Sequence, residues 1–332
     1  MKILITGGLG FIGSNFIRYI LDKYPNYEVI NLDKVTYAAN FANLRDIEND
    51  RRYKFIKGDI CQAKIVNQIM KKVDYVVHLA AESHVDRSII GAEDFIQTNI
   101  YGTYVLLEAA RKYKIKKFLF ISTDEVYGSI AKGKFKETNL LLPNSPYAAS
   151  KASADLLSRS YFKTHDLPVL ITRSSNNYGP WQFPEKLIPL FVTQLIENKK
   201  VPVYGDGKQV RDWLYVLDNC TGIDLVLHQG KIGEIYNIGA DCEKENIEIT
   251  KIILKELNQN ESMIKYVKDR LGHDRRYALN SSKIKRLGWK PEYRFNQALK
   301  QTIDWYKNNQ EWWKKIKLGE YLKYYQKQYG QK

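Results

Sequence analysis

The strand-like run Lys2-Ile-Leu-Ile-Thr6 breaks straight into Gly7-Gly8-Leu9-Gly10-Phe11-Ile12-Gly13, and a helical pattern, Ser14 to Tyr24, follows at once. A strand, a G-x-x-G-x-x-G turn and a helix in that order leave few folds open. The glycines let the backbone turn tightly and come close to a phosphate, and the new helix presents its unpaired N–H groups and positive end there. Gly7, Gly10 and Gly13, with Phe11 and Ile12 between them, therefore predict a dinucleotide cradle. Asp33 ends the next strand-like run twenty residues beyond Gly13, where a carboxylate holds ribose hydroxyls and repels a 2′-phosphate, so NAD is expected rather than NADP.

The rest of the first half keeps the same rhythm. Apolar runs at 28–32, 54–56, 74–79, 117–122 and 169–172 alternate with helical patterns at 95–113 and 148–164, which is the βαβ sequence of a doubly wound parallel sheet. After about Asn176 the rhythm gives way to Pro and Gly punctuation, through Gly179-Pro180, Pro184, Pro189, Pro202 and Gly205-Asp-Gly207. The expected organisation is a dinucleotide-binding domain over residues 1–175 and a mainly substrate-binding domain over 176–332. Parts of 210–240 are expected to return to the first sheet.

The chain has 332 residues, 44% of them hydrophobic, enough for a packed core of one large or two ordinary domains. It opens directly on a strand pattern and has no apolar run near the ~20 residues of a membrane span, so a cytoplasmic protein with no membrane partner is expected. Cys61, Cys220 and Cys242 are odd in number, far apart and without histidines at ligand spacing; reduced, mostly buried thiols and no metal site are expected. The net charge of +15 comes from scattered lysines, several of them in and beyond Trp312-Trp313-Lys314-Lys315-Ile316-Lys317. Without a recognition motif or a basic face interleaved with aromatics, it points to an anionic small substrate rather than nucleic acid.

Two further motifs carry chemistry. In Phe118-Leu-Phe-Ile-Ser-Thr-Asp-Glu-Val-Tyr-Gly128 an apolar strand runs into Thr123, so Asp124 and Glu125 emerge at the mouth of the sheet, where open α/β folds bind ligands. Tyr147-Ala-Ala-Ser-Lys151 opens a helix and its i, i+4 spacing stacks phenol over ammonium. The lysine is expected to stabilise phenolate and make Tyr147 a base below its ordinary range of ~10. A redox pair beside an acid/base pair is more than a simple dehydrogenase requires.

Together these residues resemble the extended short-chain dehydrogenase/reductase family, and within it the dTDP-glucose 4,6-dehydratases. The likeness is carried by His78-Leu-Ala-Ala-Glu-Ser-His-Val-Asp-Arg-Ser88, Ser122 to Gly128, Arg173-Ser-Ser-Asn-Asn-Tyr-Gly-Pro180, Phe183 to Pro189, Val203-Tyr-Gly-Asp-Gly207, Arg211-Asp-Trp213 and Asp269 to Tyr277, in unbroken order from Met1 to about Tyr306. It implies a Rossmann-type doubly wound α/β sheet with a smaller, mixed α/β C-terminal substrate domain. It also implies a lyase that holds and recycles NAD within each turnover, acting in nucleotide-sugar and deoxysugar biosynthesis. Tyr147 takes the C4 hydroxyl proton, Glu125 the C5 proton, Asp124 protonates the leaving C6 hydroxyl, Thr123 bonds the C4 oxygen and Lys151 supports tyrosine and cofactor.

By the same resemblance NAD lies against Phe11, Ile12, Asp33, Lys34, Thr36, Asp59, Ile60, Leu79, Ala81, Thr98 and Asn177. The nucleotide sugar lies against Ser83, Asn176, Lys186, Leu187, Arg211, Asn246, Arg270 and His273. Arg211 and Arg270 suit a diphosphate, since guanidinium binds phosphate oxygens bidentately. Asp59 is open between an adenine contact and a helix N-cap, and His84 reads as a hydrogen-bonded structural histidine. Leu271 stands where the family's Asp-Arg-Pro-Gly-His turn has proline, which puts the stiffness of that loop in question. A homodimer through helices around 99–113 and 149–164 is implied. The sequence leaves open a UDP-glucose 4,6-dehydratase, an epimerase or decarboxylase of the same fold, and an inactive NAD-sensing scaffold.

Overall fold

The computed structural model describes residues 1–318 and 320–329. Its central sheet has seven parallel strands: β1 (Lys2–Thr6), β2 (Glu28–Asp33), β3 (Tyr53–Lys57), β4 (Tyr75–His78), β5 (Lys117–Thr123), β6 (Val169–Ser174) and β10 (Ile235–Ile238). They lie in the order β10-β6-β5-β4-β1-β2-β3, so the winding reverses between β1 and β4 and leaves a crevice above their C-terminal ends. All six pairings are parallel.

Alternation along the strands feeds a core on each face. Ile3, Ile5, Val77, Leu119 and Leu170 pack with Phe16, Ile17 and Ile20 of the helix Phe11–Lys23 and with Ile223, Val226 and Leu227 of the helix Val216–Gln229. Their neighbours Leu4, Val76, Phe118 and Ile171 turn to the other face, against Val66 and Ile69 of the helix Ala63–Met70, Leu106 and Ala110 of Thr103–Lys112, and Ala154 and Tyr161 of Pro146–His165. A sheet buried on both faces needs near-continuous apolar strands. That is why the period-two signal is weak in the sequence.

Three strands leave the sheet above the crevice: β7 (Asn176–Tyr178), β9 (Val210–Tyr215) and β11 (Glu243–Glu245), in the order β11-β9-β7. A further pair is β8 (Val201–Tyr204) with β12 (Ile264–Val267). They rest on a third core around the helices Leu187–Ile196, Asn246–Glu256 and Phe295–Asn308, closed by Trp312 and Trp313. Among the described residues no helix is long and apolar enough to cross a membrane. The three thiols are unpaired, with Cys220 buried and Cys61 and Cys242 only half-buried.

The single helix expected over 95–113 is interrupted. Ile96–Gly102 forms a wider π-type turn before the α-helix Thr103–Lys112, and Gly102 packs so closely on Ile60 that an added Cβ would lie 2.6 Å from Ile60 Cδ1. Such turns re-aim side chains at functional sites. Here Asn99 accepts from Glu82 N at 2.9 Å and donates to Glu82 O and to Ser150 Oγ, which ties the β4 loop to the helix Pro146–His165.

One buried ion pair joins the sheet to that helix. Arg173 of β6 donates from Nε and Nη2 to both oxygens of Asp155, each at 2.8 Å, and the two side chains are 3% and 0% exposed. Removing one partner of such a pair strands the other charge in the core. Asp155→Ala is therefore expected to destabilise the fold by roughly 3–5 kcal/mol, read as a lower midpoint in urea unfolding with an unchanged slope.

Candidate active site

The crevice holds two connected cavities of about 310 and 150 Å³, which share Glu125, Asn176, Glu185 and Lys186. The larger begins at the glycine turn. Gly7 sits at φ +72°, where a Cβ would lie 2.7 Å from Ala80 Cα, and a Cβ on Gly13 would lie 2.4 Å from Gly7 O. Asp33 accepts from Leu9 N at 3.0 Å and Val35 N at 2.8 Å; burial raises its pKa against those bonds. Phe11, Ile12, Lys34, Thr36, Ile60, Leu79, Ala81, Thr98 and Asn177 line the same cavity with Gly10, Ser83, Tyr147 and Lys151. A backbone cradle without side chains, ending on a buried acid, fits a dinucleotide's diphosphate and ribose.

Asp59 is neither free nor the helix cap. It accepts from Cys61 N at 2.9 Å and pairs with Lys34 Nζ at 2.8 Å, while the following helix starts after Gln62 without a side-chain cap. Burial alone would raise its pKa, but the Lys34 ammonium and the N–H bond outweigh it and hold the carboxyl below its usual range.

β5 carries the candidate acid and base to the crevice. At its end Thr123 Oγ1 donates to Asp124 Oδ1 at 3.2 Å and accepts from Glu125 N at 3.3 Å, starting the 3₁₀ turn Asp124–Tyr127. Asp124 Oδ2 is buried without a partner. Burial, then the neighbouring Glu125 charge, pushes Asp124 well above the carboxylate range. Burial also raises Glu125, but Arg270, Lys186 and Arg211 pull against it. Two adjacent carboxyls thus have unequal proton affinities, the arrangement that separates an acid from a base.

The helix Pro146–His165 starts at Ser145, whose Oγ accepts from Ala148 N at 3.1 Å, with Pro146 in its first turn. Tyr147 N donates to Ser88 Oγ at 3.1 Å, and Lys151 Nζ donates to Ile121 O at 2.7 Å above the Phe120 ring. The expected lowering of the tyrosine by its lysine is not what the structure gives. Burial, then the Glu125 and Asp124 carboxylates, raise the phenol, while burial lowers Lys151 to about 7. The lysine's hydrogen bond goes to the strand carbonyl, and burial is the main cause of the rise in Tyr147, ahead of Glu125 and then Asp124.

The smaller cavity is lined by Leu187, Arg211, Asn246, Arg270 and His273 with Glu125, Asn176 and Lys186. Arg211 donates only to the carbonyls of Val210 and Asp274, at 2.8 and 3.0 Å, and lies over the Tyr277 ring. No carboxylate neutralises it among the described residues. Arg270 meets Asp86 at 3.3 Å and keeps a buried, unpartnered Nε. With unpartnered oxygens on Asn176 and Asn246, these groups form a polar cage suited to an anionic, hydrogen-bonding ligand. His273 Nδ1 meets Asp269 Oδ1 at 2.6 Å; burial lowers its pKa to about 4, so the ring is neutral near pH 7.

Leu271 extends into solvent, 73% exposed. Its loop is held instead by flanking bonds, His273 to Asp269, Gln209 to Asp269 and Asn144 to Asp274. His84 lines the smaller cavity edge-on to Tyr324, with Nδ1 unpartnered. Glu185, Tyr204, Tyr277 and Tyr329 also line the cleft and were not singled out from the sequence. The signal for Tyr329 was present: Tyr321, Tyr325 and Tyr329 recur at every fourth residue on one face of the helix Glu320–Tyr329.

Residues 4–302 match the family model for GDP-mannose 4,6 dehydratase. The chain is 51% identical to the low-salt glycan biosynthesis protein Agl12 of Haloferax volcanii, over 94% of this chain and all of that one. It is 49% identical to a dTDP-glucose 4,6-dehydratase of an Actinoplanes species, again over 94% of this chain and all of that one. The crystal structure of DesIV, a dTDP-glucose 4,6-dehydratase from Streptomyces venezuelae solved with NAD and TYD bound, superposes with a TM-score of 0.94 at 50% identity, covering 95% of this chain and 100% of that one.

A stability consequence follows from Asp124. Its folded pKa lies above the usual 3.8, so the folded state holds that proton more tightly, and burying the residue costs stability that grows as pH rises from about 4 to the folded pKa. Asp124→Asn is expected to melt above the parent at pH 8, with the gap closing as pH falls toward 4. Equal melting temperatures across that range would contradict the raised pKa.

Proposed function

The chain belongs to the GDP-mannose 4,6 dehydratase family, and from that premise we propose that it is an NAD-dependent hydro-lyase converting dTDP-glucose to dTDP-4-keto-6-deoxyglucose and water. The observation that carries the reading is the Asp124-Glu125 carboxyl pair at the end of β5, in one cavity with Tyr147 and Lys151. An epimerase has no water to eliminate and no use for an acid and a base beside its tyrosine.

The chemistry that bound NAD supplies is acceptance of a hydride from C4 and its return at C6. The protein's own groups do the rest. Tyr147 receives the C4 hydroxyl proton while Thr123 holds that oxygen. The C4 ketone acidifies C5–H, and Glu125, the less basic-shifted of the two carboxyls, removes that proton and gives it back to C5 when C6 is reduced. Asp124, kept protonated by burial, delivers its proton to the departing C6 hydroxyl. Lys151 and Asp33 hold the nicotinamide and adenine riboses, and the glycine turn holds the diphosphate of the cofactor. Arg211, Arg270, Lys186 and the Asn176 and Asn246 amides hold the substrate's diphosphate and sugar.

Two cooperating domains, 1–175 and 176–332, with part of 210–240 in the first sheet, suit this division of labour. The strand β10 and the helix Val216–Gln229 pack with the central sheet, whereas Leu187–Ile196 and Asn246–Glu256 build the separate core. A cytoplasmic setting is in keeping with three free thiols. Ile96, Tyr101, Tyr104 and Leu156 are 55%, 45%, 43% and 54% exposed on the segments Ile96–Lys112 and Pro146–His165. Large apolar side chains exposed on two helices that pack together support a homodimer. Tyr104→Glu with Leu156→Glu is expected to halve the mass measured by light scattering.

The test is to incubate the purified protein with dTDP-glucose and with UDP-glucose and follow the alkali-developed absorbance of the 4-keto-6-deoxy product. Glu125→Gln is expected to build up enzyme-bound NADH with substrate and to lose C5 exchange with solvent deuterium, with product formation down by ~10²–10⁴. Parental rates in that variant, or no product from either nucleotide sugar, would overturn the assignment.

A further inference from the structure

The mechanism leaves the buried carboxylate of Glu185 at the cleft unused. Glu185 lines both cavities with its side chain 2% exposed. Its carboxylate accepts from Arg87 Nε at 3.1 Å and from the Tyr37 hydroxyl at 3.1 Å. The Arg87 guanidinium lies 3.9 Å from the centre of the Tyr37 ring and 4.4 Å from that of Tyr324. These side chains come from four segments: the loop after β2, the helix Val85–Ile90, the stretch before the helix Leu187–Ile196, and the helix Glu320–Tyr329.

The loop that carries Tyr37 also carries Thr36, Ala38 and Ala39, which wall the cofactor cavity. It turns at Val35, a β-branched residue at φ +61°. A left-handed conformation is costly there and persists only where the surroundings hold it. The Tyr37 ring and hydroxyl are the loop's attachment to the wall between cofactor and substrate. Arg87 is suited to make it, because a planar guanidinium can stack on aromatic rings while its edge bonds a carboxylate.

We propose that Arg87 is a positioning residue that latches the Tyr37 loop across bound dinucleotide, through Glu185 and Tyr324, and keeps reduced cofactor in the cleft between hydride removal and hydride return. The inference rests on the dehydratase reading, because only a reaction that gives its hydride back loses a turnover when NADH escapes.

The experiment measures free NADH released per product formed, by filtration of holoenzyme turning over dTDP-glucose. Arg87→Gln is expected to raise that ratio about tenfold, the scale of losing a desolvated cation–π contact. Its activity should decay with time and return on adding NAD. Arg87→Lys, which keeps the charge but not the stacking fork, should leak to an intermediate extent, and Tyr324→Leu should leak where Tyr324→Phe does not. A packing defect alone would lower the melting temperature without changing NADH lost per turnover. If Arg87→Gln folds poorly, the Tyr324 pair gives the same readout. Unchanged NADH loss in Arg87→Gln or Tyr324→Leu, or activity that added NAD does not restore, overturns the latch. Stoichiometric NADH release by the parent protein would instead overturn the dehydratase reading itself.

Discussion

The bidentate pair between Arg173 and Asp155 fixes the geometry on which the rest depends. Asp155 lies on the same helical face as Tyr147 and Lys151, two and one i, i+4 steps further along. Arg173 also donates to the Tyr127 hydroxyl at 2.8 Å, and Tyr127 closes the turn that begins with Asp124 and Glu125. One guanidinium on β6 therefore sets the tyrosine–lysine helix against the carboxyl turn. Tyr127 passes the restraint on, through a 2.8 Å bond to Asn237 of β10. A displacement of an ångström between acid, base and hydride path is costly in rate, and a buried charged pair tolerates little play.

Around that frame charges of both signs meet. Burial favours protons on the carboxyls at the end of β5, and the smaller cavity sets Lys186, Arg211 and Arg270 beside Glu125, Glu185 and Asp86, the last paired with Arg270. The cations also act on the carboxyls: Arg270, Lys186 and Arg211 pull against the rise in Glu125. The same burial makes the site expensive to fold. Asp124 and Asn176 each leave a buried oxygen without a partner, and such atoms cluster where a ligand supplies what the protein does not.

The C-terminal helix belongs to this site as much as the glycine turn does. Tyr321 donates to Pro184 O at 3.1 Å, Tyr324 to Asp86 Oδ2 at 3.4 Å, and Gln328 to the Tyr204 hydroxyl at 2.8 Å. Asp86 in turn meets Arg270. The end of the chain is thereby joined to a cation of the nucleotide cavity.

The sequence by itself determined the local chemistry: the glycine turn before a helix, the acid ending β2, the strand that ends in Thr123, and the phenol and ammonium one helical turn apart. Each depends on neighbours along the chain, so spacing reveals it. It also singled out Arg211 and Arg270 through motifs long enough to be matched as strings. What only the tertiary structure decided depends on partners far apart in sequence. Lys34 claims Asp59, Ile121 claims Lys151, and burial, followed by two carboxyls, raises Tyr147 rather than lowering it. The π-type turn at Ile96–Gly102 and the Tyr37–Arg87–Glu185–Tyr324 cluster left no spacing signal, because they are set by packing between segments that meet only once the sheet has closed.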